Sequence, residues 1–591
     1  MAMHSLLRLI PLASLSLLAA CASMAQDAGL RPSQPLSAAD GGQSSVYGLF
    51  LAGQGALSKG DNAHAADLFR QASSVAGGES TEVRQGAFIS ALLSGDVPRA
   101  AALAPQDTDS ANSIRQMGRL VRAVDAFASG KVKDAYLLMA PAGFDNNNRA
   151  VAALLTPIMA SAAGENDAAT IRPDARINGV VQYFGQWVQA NALERAKRFD
   201  EAETNYKLIT APEAPTGALF MLDYGQFLER RDRRADAIAL YDLGLARNPS
   251  DRALQAARQR AAARRKPPAA PTAQMQATRV LIACASLQAA QRDDDTAMAY
   301  LRLALRIEPE RPEAWLQVGD LLSEDDPVAA RAAYARAPKN SDLYVQAMAR
   351  TAMTYQLAGE SEAALSSARA ALAAAPESRD AAVTLAEVLR DSDKVDDAVR
   401  VLDTLIARPS SATDWRLLFL RATMQAEAGR KGLSEQDVAA ALVIAPDQPE
   451  LLNYLGYMWI DRGDNLPKAL EMVKKAVALQ PRSGAIIDSL GWGYYRMGDY
   501  PLAVTTLERA VLLEPADPDV NDHLGDAYWK VGRKIEAQFQ WARVLTLEAS
   551  DEAKARAQAK LKDGLDGPAA AAAPVAQAAP VKPAAVATAG G

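Results

Sequence analysis

Stacked helical hairpins forming an all-α solenoid are the architecture expected of this 591-residue chain, on three grounds. Small residues recur at a near-constant spacing. Ala285, Gly319, Ala352, Ala386, Ala422, Gly456, Gly491 and Gly525 lie 34, 33, 34, 36, 34, 35 and 34 residues apart. Prolines recur at the close of these units, at Pro309, Pro376, Pro409, Pro446, Pro481 and Pro515. Aromatic residues make up only 6 % of the chain and alanine is abundant, which favours close-packed helices over sheets.

The best-formed unit runs from Ser483 to Pro515. Ile487, Leu490, Gly491 and Tyr494 fall at i, i+3, i+4 and i+7 and share one helix face. After the break at Met497-Gly498-Asp499, Ala503, Leu507 and Ala510 repeat the pattern on a second helix. Gly491 and Ala503 are small where two helix backbones must approach, and larger residues fill the space around them. Such a hairpin cannot bury its apolar face alone and needs copies of itself as neighbours. A period near 34 with this small/large code resembles the tetratricopeptide repeat (TPR), and the resemblance covers most of the chain.

The N-terminal segment 1–20 reads as a lipoprotein signal peptide. Arg8 is its only formal charge, and the apolar run from Leu9 to Ala20 is too short to span a bilayer but fits a signal h-region. It ends Leu18-Ala19-Ala20-Cys21, which resembles the lipobox of bacterial lipoproteins. That resemblance implies a diacylglycerol on the Cys21 thiol and, with Ala22 following, sorting to the outer membrane, facing the periplasm. The competing reading is ordinary cleavage after Ser23-Met24-Ala25, which discards Cys21 and leaves a soluble periplasmic protein. Residues 21–45 lack helical periodicity and form either a flexible tether averaging roughly 25–30 Å end to end or a merely disordered terminus.

From 46 to 260 the repeat is degenerate. Gly53 with Ala65, Phe69 and Ala72, Ala190 with Ala202 and Tyr206, and Gly225 with Ala237 and Tyr241 are sound units, and Ala123 with Ala135 and Met139 fits. Between Ala150 and Arg172 the pattern is nearly lost, with Pro157 where a small residue belongs. Segment 261–278 is rich in Pro and Ala, and its Pro-Pro pair stops a helix. It either divides the array into two arcs or is one long loop between packed repeats. Regular repeats occupy 279–549, about 13–14 hairpins in all. A polar helix within 550–566 caps the stack, and 567–591 is a disordered Ala/Pro tail by composition.

Little in the chain offers chemistry. Net charge is −6, and nothing in it suggests the basic face that nucleic acid requires, so no nucleic-acid partner is expected. Two cysteines rule out a disulfide scaffold, and three histidines leave little for metal or triad work. Gly491-Trp492-Gly493 begins like a dinucleotide loop, but no strand precedes it and its glycines occupy repeat positions. His523, with Asp522 and Asp526 nearby, has spacing compatible with a metal, although a solvated polar face is the simpler reading. Cys284 falls on a core position and should be a small buried hydrophobe. The expectation is a non-enzymatic protein without cofactor or metal.

The TPR resemblance implies a concave groove lined by the first helix of each hairpin, at positions three before and one, four and five after the small residue. In the three most regular repeats these are Asn453, Asp488 and Asp522, then Tyr457, Trp492 and Asp526, then Ile460, Tyr495 and Trp529, then Asp461, Arg496 and Lys530. Amides and carboxylates there suit an extended peptide backbone, and the rings offer anchoring area. The alternative is that the rings pack on the next hairpin. Upstream, the same mapping gives Trp187, Glu194, Arg195, Glu229 and Arg230, a more charged groove for a different partner.

Lipobox, tether and long array together are similar to the TPR outer-membrane lipoproteins that act as adaptors of carboxy-terminal processing proteases, of the NlpI and LbcA kind. Asn453-Tyr454-Leu455-Gly456-Tyr457 and Asp488-Ser489-Leu490-Gly491-Trp492 carry that likeness. It implies recruitment of a periplasmic serine protease and of peptidoglycan hydrolases as its substrates. The alternative is an assembly scaffold of an outer-membrane secretion, pilus or exopolysaccharide machine. An enzyme fused to the array would need a non-repeat domain, and the repeats leave no room for one.

Overall fold

The structure, a computed structural model, describes residues 45–565 apart from short stretches at 76–79, 107–110, 140–142, 145–147, 212–213, 215–216, 249–250 and 340. Cys21, the signal segment, all but the last residue of the tether and the 567–591 tail lie outside the described residues. Among the described residues there are thirty α-helices and no strand. Twenty-eight pair into fourteen hairpins, and Arg252–Ala262 and Asp551–Asp563 stand singly. The chain is an all-α helical-hairpin solenoid. It divides into two compact units, one ending at Val401 and one beginning at Leu402.

The hairpin Gly484–Arg496/Tyr500–Leu513 shows why the sequence code works. Ser483 caps the first helix by accepting from the Ile486 amide, and Asp499 caps the second by accepting from Leu502. Gly498, at φ 83°, makes the left-handed turn between them. A Cβ on Gly491 would stand 2.5 Å from Leu507 Cγ, so the two helices meet there with nothing to spare. The same pairing recurs with a residue about sixteen positions on, as Gly225 with Tyr241 and Gly525 with Trp541. Leu490, Ala503, Leu507 and Ala510 are buried as the repeat code requires.

In residues 45–401 the repeats do more than stack on their sequence neighbours. The hairpin Ala273–Ala290/Asp294–Ile307 packs back onto earlier ones. Its first helix lies against Arg149–Ala163 and Gly179–Arg195, and its second against Asn112–Ala128, Thr81–Ser94 and Val97–Leu103. Asp294–Ile307 is accordingly buried on most sides, with Ala297 to Leu301 and Leu303 to Leu305 all out of solvent. One continuous hydrophobic core runs from Phe88 to Ala333 through both the early helices and this hairpin. Polar contacts fix the seat. Arg302 Nε donates to the Leu93 carbonyl at 2.9 Å, and Arg306 Nε to Asp125 Oδ1 at 2.8 Å. Burial lowers the Arg302 guanidinium to about 10, and the Leu93 carbonyl is the acceptor that keeps it tolerable.

The structure differs from the sequence reading at two places. The 261–278 linker is shorter, because Ala273 to Thr278 already belong to a helix whose N-cap is Thr272. The Pro-Pro pair stops one helix but does not isolate an upstream arc, since the following hairpin folds into it. The upstream groove is also not open. Trp187, Glu194 and Glu229 are buried. Arg279 lies 4.8 Å over the Trp187 ring and pairs with Asp223 at 2.8 Å, while Arg195 donates to the Pro271 carbonyl. Arg230 pairs with Glu194, and Arg260 with Glu229. The chain supplies its own occupant.

Candidate functional site

The groove that stays open lies within residues 402–565. First helices Trp415–Glu427, Pro449–Arg462, Gly484–Arg496 and Pro518–Lys530 present one face each, and together they line a cleft of about 180 Å3. Asn453, Tyr457 and Asp488 stand in it, as their repeat positions predict. Asn453 is only 3 % exposed, and its Oδ1 has no hydrogen-bond partner. Asp461 and Lys431 join them. Burial raises the Asp461 carboxyl above the usual carboxylate range, against the nearby charges of Lys431 and Arg496.

The other predicted groove residues have different work. Trp492 is 5 % exposed and is sandwiched between Tyr495, 4.6 Å away, and the His523 ring, 4.2 Å away. It is an internal wedge between hairpins rather than a free anchor, because its repeat neighbour supplies a flat ring at the right height. Arg496 donates to the Asp461 carbonyl at 2.6 Å and buttresses the cleft from behind. Asp522 and Asp526 are buried and hold Lys560 Nζ of the final helix at 2.8 and 2.9 Å. The backbone at Gly564 lies on the Trp529 ring, where a Cβ would come within 2.2 Å. Lys530 is exposed. Three of the last repeat's four groove positions, Asp522, Asp526 and Trp529, are thus covered by the cap Asp551–Asp563 and the Gly564 that follows it, an element the sequence placed but without its reach.

His523 is the principal surprise. It is 1 % exposed and not on a solvated face. Its Nδ1 lies 3.0 and 3.1 Å from the two Asp488 oxygens. Burial opposes its charge, but Asp488, Asp519 and Asp522 outweigh it and hold the imidazole up to about 9. The signal existed in the sequence. A carboxylate three before one small residue and a histidine two before the next are 35 residues apart, one more than the repeat step from Gly491 to Gly525, which sets them side by side on adjacent first helices. Among the described residues no group of three or more His, Cys, Asp or Glu is placed to hold a metal ion. Cys284 is buried, which pushes its thiol up to about 12.

Comparison with known proteins identifies the repeats. A family model described as TPR repeat matches residues 493–532, and one described as tetratricopeptide repeat matches 350–410 and 383–449. These segments are tetratricopeptide repeats, and the class they define is the protein–protein interaction scaffold. Particular relatives cover less. The TPR repeat-containing protein PA4667 of Pseudomonas aeruginosa is 31 % identical over 113 residues, which is 19 % of this chain and 19 % of that protein's length. The solved APC/C hetero-tetramer Cut9–Hcn1 is 15 % identical, covering 88 % of this chain and 97 % of that one at a TM-score of 0.36. A tetratricopeptide repeat protein from Parabacteroides merdae is 16 % identical over 48 % of this chain and 97 % of its own, at 0.33.

Proposed function

We propose that this chain is a lipid-anchored adaptor on the periplasmic side of the outer membrane. In this reading it recruits a carboxy-terminal processing protease and brings cell-wall hydrolases to it. The observation that carries the proposal is the open cleft at Asn453, Tyr457 and Asp488, built on repeats whose class is protein binding. The lipobox-like Leu18-Ala19-Ala20-Cys21 and the likeness of the 453–457 and 488–492 runs to adaptor lipoproteins supply the anchor and the choice of client.

The test is purification of the full-length chain in detergent from its own cells. A periplasmic serine protease and a peptidoglycan hydrolase should accompany it, and Cys21→Ser should shift the chain out of the membrane fraction. Recovery of neither enzyme sinks the adaptor role. A β-barrel or secretion complex in stoichiometric amount would favour the assembly scaffold instead. Unchanged membrane association of Cys21→Ser would remove the lipid anchor from the proposal.

A further inference from the structure

We infer that the open cleft of residues 402–565 is a docking site for a lysine- or arginine-bearing helical segment of a protein partner. This rests on the adaptor reading and names the chemistry of what its groove takes. One hairpin further on, the same face is already covered. There the helix Asp551–Asp563, carrying Lys554, Arg556, Lys560 and Lys562, lies against Pro518–Lys530. Lys560 sits between Asp522 and Asp526, and Arg556 reaches Asp519 at 3.4 Å. Residues 45–401 repeat this chemistry: Arg279, on the inserted helix Ala273–Ala290, pairs with Asp223 over the Trp187 and Phe220 rings. Where this chain fills a repeat face with one of its own helices, basic side chains make the polar contacts.

The open cleft offers the same reception. Asp488 and Asn453 occupy the positions one and two repeats upstream of Asp522, and both line it. Five carboxylates (Glu427, Asp461, Asp488, Asp517 and Asp519) line the cleft against the two cations Lys431 and Arg462. His523 already holds Asp488 and Arg556 reaches Asp519, so Glu427, Asp461 and Asp517 carry the remaining negative charge. Arg462 is engaged by Glu435 at 2.7 Å and Asp464 at 2.9 Å, which further weakens its claim on the cleft. An independent observation points to a missing donor. The Oδ1 atoms of Asn453 and of Asp461 are buried without any hydrogen-bond partner, and both residues belong to the cleft. Buried acceptors of this kind are normally satisfied, and a cationic donor entering the cleft is the kind of group that does so. An acidic peptide or a nucleic acid would instead meet like charge.

The probe is a fluorescein-labelled alanine-based helical peptide with a lysine on each turn, compared with its glutamate counterpart. Fluorescence anisotropy with the purified full-length chain, at low and at physiological salt, reads the affinity. The lysine peptide should bind, more tightly at low salt, and the glutamate peptide should not. Asp461→Asn combined with Glu427→Gln should weaken binding at least about tenfold. Lys431→Glu should tighten it, a gain that misfolding cannot imitate. Absence of binding by the lysine peptide, equal binding of both peptides, an unchanged Asp461→Asn/Glu427→Gln chain, or no gain from Lys431→Glu each overturns the inference. Because the chain is tested alone, such a failure leaves the co-purification test of the adaptor role untouched.

Discussion

Raising the pH should loosen residues 402–565 through one proton. His523 is sealed from water, stacked on Trp492 and held by both oxygens of Asp488. Asp519 and Asp522 add to the field that keeps it charged, and its folded pKa of about 9 stands above the ordinary 6.5. Below pH 6.5 the folded and unfolded chains both carry the proton, and the stabilisation is complete. Between 6.5 and 9 only the folded chain keeps it, so stability falls steadily and levels off above 9. The gap between 6.5 and about 9 corresponds to about 3 kcal/mol. For a unit of this size, each kcal/mol moves the midpoint by about 2–4 °C. Thermal unfolding followed by tryptophan fluorescence should therefore drop by about 6–12 °C from pH 6 to pH 10. His523→Gln should start lower and lose that slope. A wild-type midpoint that tracks His523→Gln across this range, or a His523 resonance titrating at or below 6.5, would refute the reasoning.

Four further variants test the packing and the buried ion pairs. Gly491→Ala places a Cβ 2.5 Å from Leu507 Cγ and should cost roughly 1–3 kcal/mol in urea unfolding, where Trp492→Ala should also destabilise, by about 3–5 kcal/mol, because that ring is buried. Lys560→Met leaves Asp522 and Asp526 facing each other without their cation and should cost about 3–5 kcal/mol, seen as faster amide exchange along 551–563. Tyr300→Ala, in the hairpin that packs onto the early repeats, should cost about 3–5 kcal/mol and speed proteolysis near residues 81–163 as well as locally.

The repeat array was legible because its code is local. Gly491 and Leu507 meet within one hairpin, so spacing alone locates them, and fourteen hairpins match the count that period predicts. Asn453, Tyr457 and Asp488 were also legible, as repeat positions that keep their groove. What the period could not reveal is which groove positions other parts of the chain already cover. Trp492 and Asp522 obey the same positional rule as Asn453, but His523 and Lys560 reach them from one repeat away and from the cap. Arg279 approaches Trp187 across some ninety residues, a contact for which no periodic pattern carries a signal.

The insertion of Ala273–Ile307 among the early hairpins changes how residues 45–401 must assemble. A plain repeat array is quasi-one-dimensional and can grow from any unit by adding neighbours. Here Arg302 closes on Leu93 and Arg306 on Asp125, contacts 209 and 181 residues apart in sequence. At about 5–20 residues per second, the helices around Leu93 emerge from the ribosome about 10–40 s before their covering hairpin. In that interval apolar faces such as those of Leu120, Val124 and Phe127 lack part of their final cover. The early repeats therefore have a vulnerable period during synthesis that the repeats beyond Leu402 do not share in this form.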